Sequence, residues 1–175
     1  MRVSSFMRHW FAVIFLGFIG VMGLDSCSVN YGFTGGDFSG AETFEVAFLK
    51  PTAPLASQQF ALNITESLKD LIQSQSPLDL VERDGQLVFS GAITGYKIAP
   101  VSVQSNEQAS LNRLTVTIKL RYENNVESDK SFDRTFEEYA EYDSNTDFFA
   151  IEEELWEEVV EKLTQSIYNA SLGNW

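Results

Sequence analysis

Between residues 111 and 122 the chain alternates without interruption. Leu114, Val116, Ile118, Leu120 and Tyr122 fall on one side of an extended backbone, and Arg113, Thr115, Thr117, Lys119 and Arg121 fall on the other. Successive side chains of a strand point to opposite faces, so this run fits a strand buried on one face and wet on the other. A sheet with one apolar face needs a second layer to cover it, and the rest of the chain must supply that layer.

Two amphipathic segments qualify. Over residues 55–75, Phe60, Ile64, Leu68, Leu71 and Ile72 recur at three and four, which predicts a helix capped near Ser57 and stopped by Ser76-Pro77. Over residues 147–172, Ile151, Leu155, Val159, Leu163 and Ile167 form a second stripe, opened by the capping-box spacing of Ser144 and Asp147. The outer side of this helix carries Glu152, Glu153, Glu154, Glu157, Glu158 and Glu161. Without the Asp/Asn-Gly loop that wraps calcium, these read as a solvated helix face.

The remaining strands are less regular. Residues 43–49 place Phe44, Val46 and Phe48 on one face and end at Pro51 and Pro54. A short extended piece, 78–82, precedes Arg83-Asp84-Gly85, where Asp-Gly is a hairpin-type signal. Residues 86–98 form a strand in which Gly91 and Gly95 point to a bulge or bend. After a polar connection, 100–110, and the strand 111–122, residues 130–142 return as an antiparallel partner. Their phase slips between Phe136 and Tyr139, which predicts a bulge there. The expected order is β-α-β-β-β-α. The expected fold is an α+β two-layer sandwich, with about four strands in a mostly antiparallel or mixed sheet, two helices on one face, and the other face open.

The N-terminus has a different character. Arg2 and Arg8 precede an apolar run over residues 10–24. That run is too short to cross a bilayer of roughly 30 Å comfortably and matches the apolar region of an export signal. Asp25-Ser26-Cys27 closes it with the only cysteine of the chain. Leu24 and Ser26 ahead of Cys27 resemble the lipobox of bacterial lipoproteins, whose cysteine sulfur takes a diacylglyceryl group. Asp25 stands where that pattern usually has a small or apolar residue. An ordinary cleaved signal and a membrane helix are the alternatives, but an unpaired thiol in an oxidising compartment is a hazard that lipidation removes. The expected division is a signal peptide at 1–26, lipidated Cys27 with a Gly/Ser/Thr/Asn-rich tether to residue 42, and one domain over 43–175.

Loss of residues 1–26 removes Arg2, Arg8 and Asp25 and takes the formal charge from −13 to −14. So acidic a domain repels nucleic acid and anionic membrane surfaces, and the lipid has to hold it to a bilayer. His9 leaves with the signal, so the mature chain has no histidine and its cysteine is committed to lipid. Serine–histidine and cysteine–histidine nucleophilic sites and the usual zinc sites are thereby excluded, and no cofactor or catalytic residue is expected. A carboxylate-only hydrolase is the one enzymatic alternative, and it would need two facing acids in a cleft.

The concentrated basic feature is the row Arg113, Lys119 and Arg121, with Lys97 beside Tyr96 as a weaker candidate. On an open sheet face such cations can receive lipid phosphates through charge-assisted hydrogen bonds. The other reading is cross-strand pairing, because Asp133, Glu137 and Glu141 lie on the neighbouring strand with the same parity, and the parity favours it. Tyr31, Phe33, Tyr139, Tyr142 and Trp175 are candidate interface aromatics, with core packing equally open to each.

Several short pieces in order carry a family resemblance: Tyr31-Gly-Phe33-Thr-Gly35 after the cysteine, Leu80-Val-Glu-Arg83 with Gly85, Gly91-Ala-Ile-Thr-Gly-Tyr96 leading to Pro100-Val101, Leu111-Asn-Arg-Leu-Thr115, and closing Asn174-Trp175. Together they resemble the LptE lipopolysaccharide-assembly lipoproteins in their Bacteroidetes form, over nearly all of the mature chain. The resemblance implies an outer-membrane lipoprotein facing the periplasm. It would act as plug and folding partner of the LptD β-barrel, with lipopolysaccharide as ligand. Family members bind lipopolysaccharide through basic residues, which do not align with this chain residue by residue. The rival is another lipid-anchored periplasmic binding module, such as an activator of cell-wall synthesis.

Overall fold

The computed structural model describes residues 36–101 and 110–173. The signal segment, Cys27, Tyr31, Phe33 and Trp175 lie outside the described residues. The elements are β1 (Thr43–Val46), β2 (Lys50–Pro51), α1 (Gln58–Gln75), β3 (Asp79–Leu80), β4 (Leu87–Val101), β5 (Leu111–Asn124), a 3-10 turn (Ser128–Lys130), β6 (Phe132–Asp143) and α2 (Phe148–Ser171). They form the expected α+β sandwich. Its sheet is larger than the four strands expected, six-stranded in the order β3-β1-β4-β5-β6, with β2 also on β4. The two extra strands are two residues long each, too short to show a period.

β5 carries the sheet. It pairs antiparallel with β4 along one side and with β6 along the other. Its inward residues Leu114, Val116, Ile118, Leu120 and Tyr122 are all buried. In β4 the register shifts between Ile93 and Gly95, which places the bulge that the glycines signalled at Thr94. A Cβ on Gly91 would stand 2.4 Å from the Lys119 carbonyl oxygen, so only glycine lets β4 and β5 approach there.

The β5–β6 ladder runs from Leu111–Asp143 to Tyr122–Phe132 without a shift, so the bulge expected near Phe136 is absent. The apparent slip has a simple cause. Glu138 keeps its inward position at the sheet margin, where its carboxylate accepts from the Ser166 hydroxyl at 2.8 Å, while Tyr139 faces out beneath Arg113.

Three further expectations change. β1 ends at Val46: the chain leaves the ladder, exposes Phe48 and buries Leu49, then rejoins β4 as β2. At the interruption the buried Leu49 N–H donates to Thr65 Oγ1 of α1 at 3.2 Å, and this fixes the reversed parity. The Asp84-Gly85 turn makes no hairpin, because β3 and β4 both lie parallel to β1, one on either side of it. Asp84 still takes the left-handed conformation, φ 60°, and Gly85 sits so close to Glu45 that a Cβ would lie 2.7 Å from its backbone nitrogen. At α2 the cap is Asp147 itself, accepting from Phe149 N–H, rather than Ser144. Ser57 caps α1 as expected, accepting from Phe60 N–H.

Both helices pack on the inward face. Phe60 of α1 meets Tyr96 of β4 at 5.4 Å and Trp156 of α2 at 5.2 Å between ring centroids, and the Trp156 indole N–H donates to the Tyr96 hydroxyl at 2.8 Å. Burial, as the largest cause, pushes the Tyr96 phenol up to about 12. The Tyr168 hydroxyl of α2 donates to the Gln75 carbonyl and ties the two helix C-termini together.

Thr65→Val removes the acceptor of a buried N–H, whereas Thr164 only back-bonds to carbonyls of its own helix. Urea unfolding should show Thr65→Val destabilised by about 1–3 kcal/mol and Thr164→Val near neutral. Equal losses would show that the Leu49–Thr65 contact does not hold the interruption in place.

Candidate functional site

The face of the sheet opposite the helices has no buried residue along β5 or β6. Register assigns its side chains. Lys97 lies opposite Thr115, Lys119 opposite Ala92 and Thr135, Arg113 opposite Ala99 and Glu141, and Arg121 opposite Ser90 and Asp133. All four candidate cations therefore share the open face. They fall into two groups: Lys97 is a diagonal neighbour of Arg113, and Lys119 is two residues from Arg121. At about 3.4 Å rise per residue, Arg113 and Lys119 stand roughly 20 Å apart, with Thr115 and Thr117 between them.

Each group contains one engaged arginine and one lysine without an ion pair among the described residues. Arg113 donates to the Glu141 carboxylate, its Nε at 3.0 Å, and its guanidinium lies 3.9 Å from the Tyr139 ring centroid. Cross-strand pairing thus holds for Arg113. Arg121 instead bonds Glu123 of its own strand at 2.8 Å, and Asp133 opposite it has no ion pair among the described residues. Thr117 donates to Glu137 at 2.9 Å, which takes up the third expected acid. Lys97 and Lys119 are exposed.

Beside Lys119 the face dips into a shallow depression lined by Ser90, Gly91, Ala92, Thr94, Lys119 and Arg121, with Leu120 and Asp133. Ala92, opposite Lys119 in the ladder, fills it with no more than a methyl group. Neither the depression nor the Glu123 and Tyr139 partners follow from the parity argument between β5 and β6. Glu123 and Tyr139 do share parity with the arginines they meet, which was the available signal. Tyr139 is 44% exposed, while Tyr142 is buried beside Phe148.

The end of the domain where the chain comes in is locked separately. Asp37 N–H donates to the Leu172 carbonyl, and Lys130 Nζ reaches Asp37 at 2.6 Å and Glu127 at 2.9 Å. Those two carboxylates, Asp37 first, raise the Lys130 ammonium above its ordinary value, and the same contact lowers the Asp37 carboxyl. Ser39 bonds both Lys130 and the buried Asn124. Gly36 and Asp37, inside the segment 27–42 expected as tether, thus already contact the domain. No helix of the described residues is long and apolar enough to cross a membrane.

The sandwich thus covers one face of its sheet with helices and leaves the other, with its four cations, open to solvent. The family model described as LptE, lipopolysaccharide-assembly, matches residues 41–171, more than half of the chain. The chain belongs to this family, whose role is assembly and not catalysis. No curated protein sequence matches it.

Among solved structures, a minor lipoprotein from Acinetobacter baumannii is similar at 14% identity and a TM-score of 0.49, with 75% of this chain and 96% of that one covered. A hypothetical protein from Chlamydia trachomatis stands at 8% identity and 0.49, with 77% and 99% covered. Rare lipoprotein B from Shewanella oneidensis stands at 10% and 0.44, with 72% and 89% covered. Family membership rests on the sequence match alone.

A double-mutant cycle over Arg113→Gln and Glu141→Gln should return a coupling of about 0.2–1 kcal/mol that shrinks in high salt. Lys119→Gln should leave the unfolding midpoint unchanged. Zero coupling at low salt would return Arg113 to the free cations.

Proposed function

We propose that the protein is an outer-membrane lipoprotein anchored through Cys27, that it plugs an LptD-like β-barrel and helps it fold, and that lipopolysaccharide meets its open sheet face. The observation that carries this reading is the family match, which spans the whole sandwich from residue 41 to residue 171. The division into a signal at 1–26, a lipidated Cys27 and a single domain belongs to the same proposal. A diacylglyceryl group on the Cys27 sulfur and an acyl group on the new amino terminus, three chains together, would hold the domain at the membrane essentially permanently and raise its concentration near a barrel.

The candidate contacts with lipopolysaccharide are Lys97, Lys119, Arg113 and Arg121. Their chemistry ranks them. Phosphate binding at Arg113 or Arg121 competes with a carboxylate already in place, whereas an exposed ammonium gives up only water. Lys97 and Lys119 therefore lead, and the arginines flank them. The overall charge of −14 left after removal of residues 1–26 keeps anions away from the rest of the surface.

Pull-down of the tagged chain from detergent-solubilised outer membrane should recover a large β-barrel in stoichiometric amount, and no barrel would overturn the plug reading. With purified protein, Lys97→Glu together with Lys119→Glu should weaken lipopolysaccharide binding about tenfold or more, and Arg113→Glu less. Unchanged binding in the double variant would remove the open face from the site.

A further inference from the structure

Strand β6 is twelve residues long and, among the described residues, has a neighbour on one side only. Sheet edges of this length are usually blunted by proline, a bulge or shortness, because their free N–H and C=O groups invite another strand. β6 contains no proline and its register is unbroken, so charge alone guards it: Asp133, Glu137, Glu141 and Asp143 on the open face, Arg134 and Glu138 on the inward one. Its one cap is Lys162, which donates to the Tyr139 carbonyl at 2.9 Å and so shows which way that carbonyl points. Outward and inward backbone groups alternate along an antiparallel strand. Asp133, Thr135 and Glu137 therefore direct their N–H and C=O groups to the same open side as Tyr139.

A groove accompanies this edge on the helix side, lined by Arg134, Phe136, Glu138, Ser166, Asn169 and Ala170. A strand added to β6 would lay alternate side chains into it against Phe136 and Ala170. The other side chains would stand on the open face beside Asp133 and Glu137.

From this edge, its groove and its charge we infer that β6 takes up an extended segment of a partner protein, one that alternates apolar residues with lysine or arginine. Strand addition supplies backbone hydrogen bonds for affinity and side-chain pockets for selection. The charge selects the occupant. β6 carries Asp133, Glu137, Glu138, Glu141 and Asp143 against Arg134 alone, so a second copy of the same edge would bring like charges face to face. A cationic segment meets complementary carboxylates instead. The acids thus bar self-pairing without closing the edge. This inference does not depend on the barrel reading.

The test uses the full chain in detergent micelles and a capped peptide of alternating lysine and valine. Hydrogen exchange followed by mass spectrometry should show new protection over residues 133–139 when the peptide is added. The same peptide with its alternate backbone amides methylated should give none. Asp133→Lys with Glu137→Lys should weaken peptide binding about tenfold at low salt while leaving the melting temperature unchanged. Equal binding of the methylated peptide, or protection elsewhere, would reduce the effect to charge and overturn the inference. Protection of the outward amides of Asp133, Thr135, Glu137 and Tyr139 without peptide, beyond that which the ladder to β5 gives their neighbours, would also overturn it: if it grows with protein concentration the occupant is a second copy, and if it does not the occupant is a segment of this chain.

Discussion

Burial on one face of β5 only is the constraint from which the rest of the structure follows. Five inward side chains of that strand are removed from water, and at roughly 1.5–3 kcal/mol for each large aliphatic side chain this outweighs any local preference of the flanking segments. The helices cover the face and are held to it where Phe60, Tyr96 and Trp156 meet, so α1, β4 and α2 share one aromatic junction. Gly91 matters for the same reason, since β4 could not otherwise close on the Lys119 backbone. Because both helices sit on the inward side, the opposite face has nothing to bury.

That leftover face is where the chemistry gathers. An acidic protein spends two of its arginines on nearby carboxylates, Arg113 on Glu141 and Arg121 on Glu123, and leaves Lys97 and Lys119 in water. Each lysine stands beside an arginine that is already oriented, so an arriving phosphate would meet a mobile ammonium next to a fixed guanidinium. Under the proposed reading, membership of a lipopolysaccharide-assembly family gives such an arrangement a purpose that the charge pattern alone does not.

The strand β5, both helix stripes, the Ser57 cap and the glycine-marked bulge were legible in the sequence, because each rests on a local period or a local cap. The features that were not legible depend on contacts between distant residues. Leu49 replaces Phe48 in the core because a threonine sixteen residues away accepts its N–H. Asp84-Gly85 resembles a hairpin turn locally, yet β1 lies between the strands that it joins. Glu138 and Tyr139 look like a slipped phase because a serine of α2 and an arginine of β5, rather than the alternation itself, decide their neighbours. For the site, parity placed Arg113, Lys119 and Arg121 on one face, but only the three-dimensional pairing adds Lys97 to it and separates the engaged arginines from the exposed lysines.

The central claim is that the open sheet face, not the helical one, is the working surface of a lipopolysaccharide-assembly protein. A photo-crosslinking side chain placed at Thr117, between the two cationic groups, and separately at Glu157 on the outer side of α2, tests it most directly in intact outer membrane. The account predicts lipopolysaccharide adducts from position 117 and none from position 157. Adducts from position 157 alone would contradict it, because the helical layer would then carry the ligand and the open face would be mere solvent-exposed sheet.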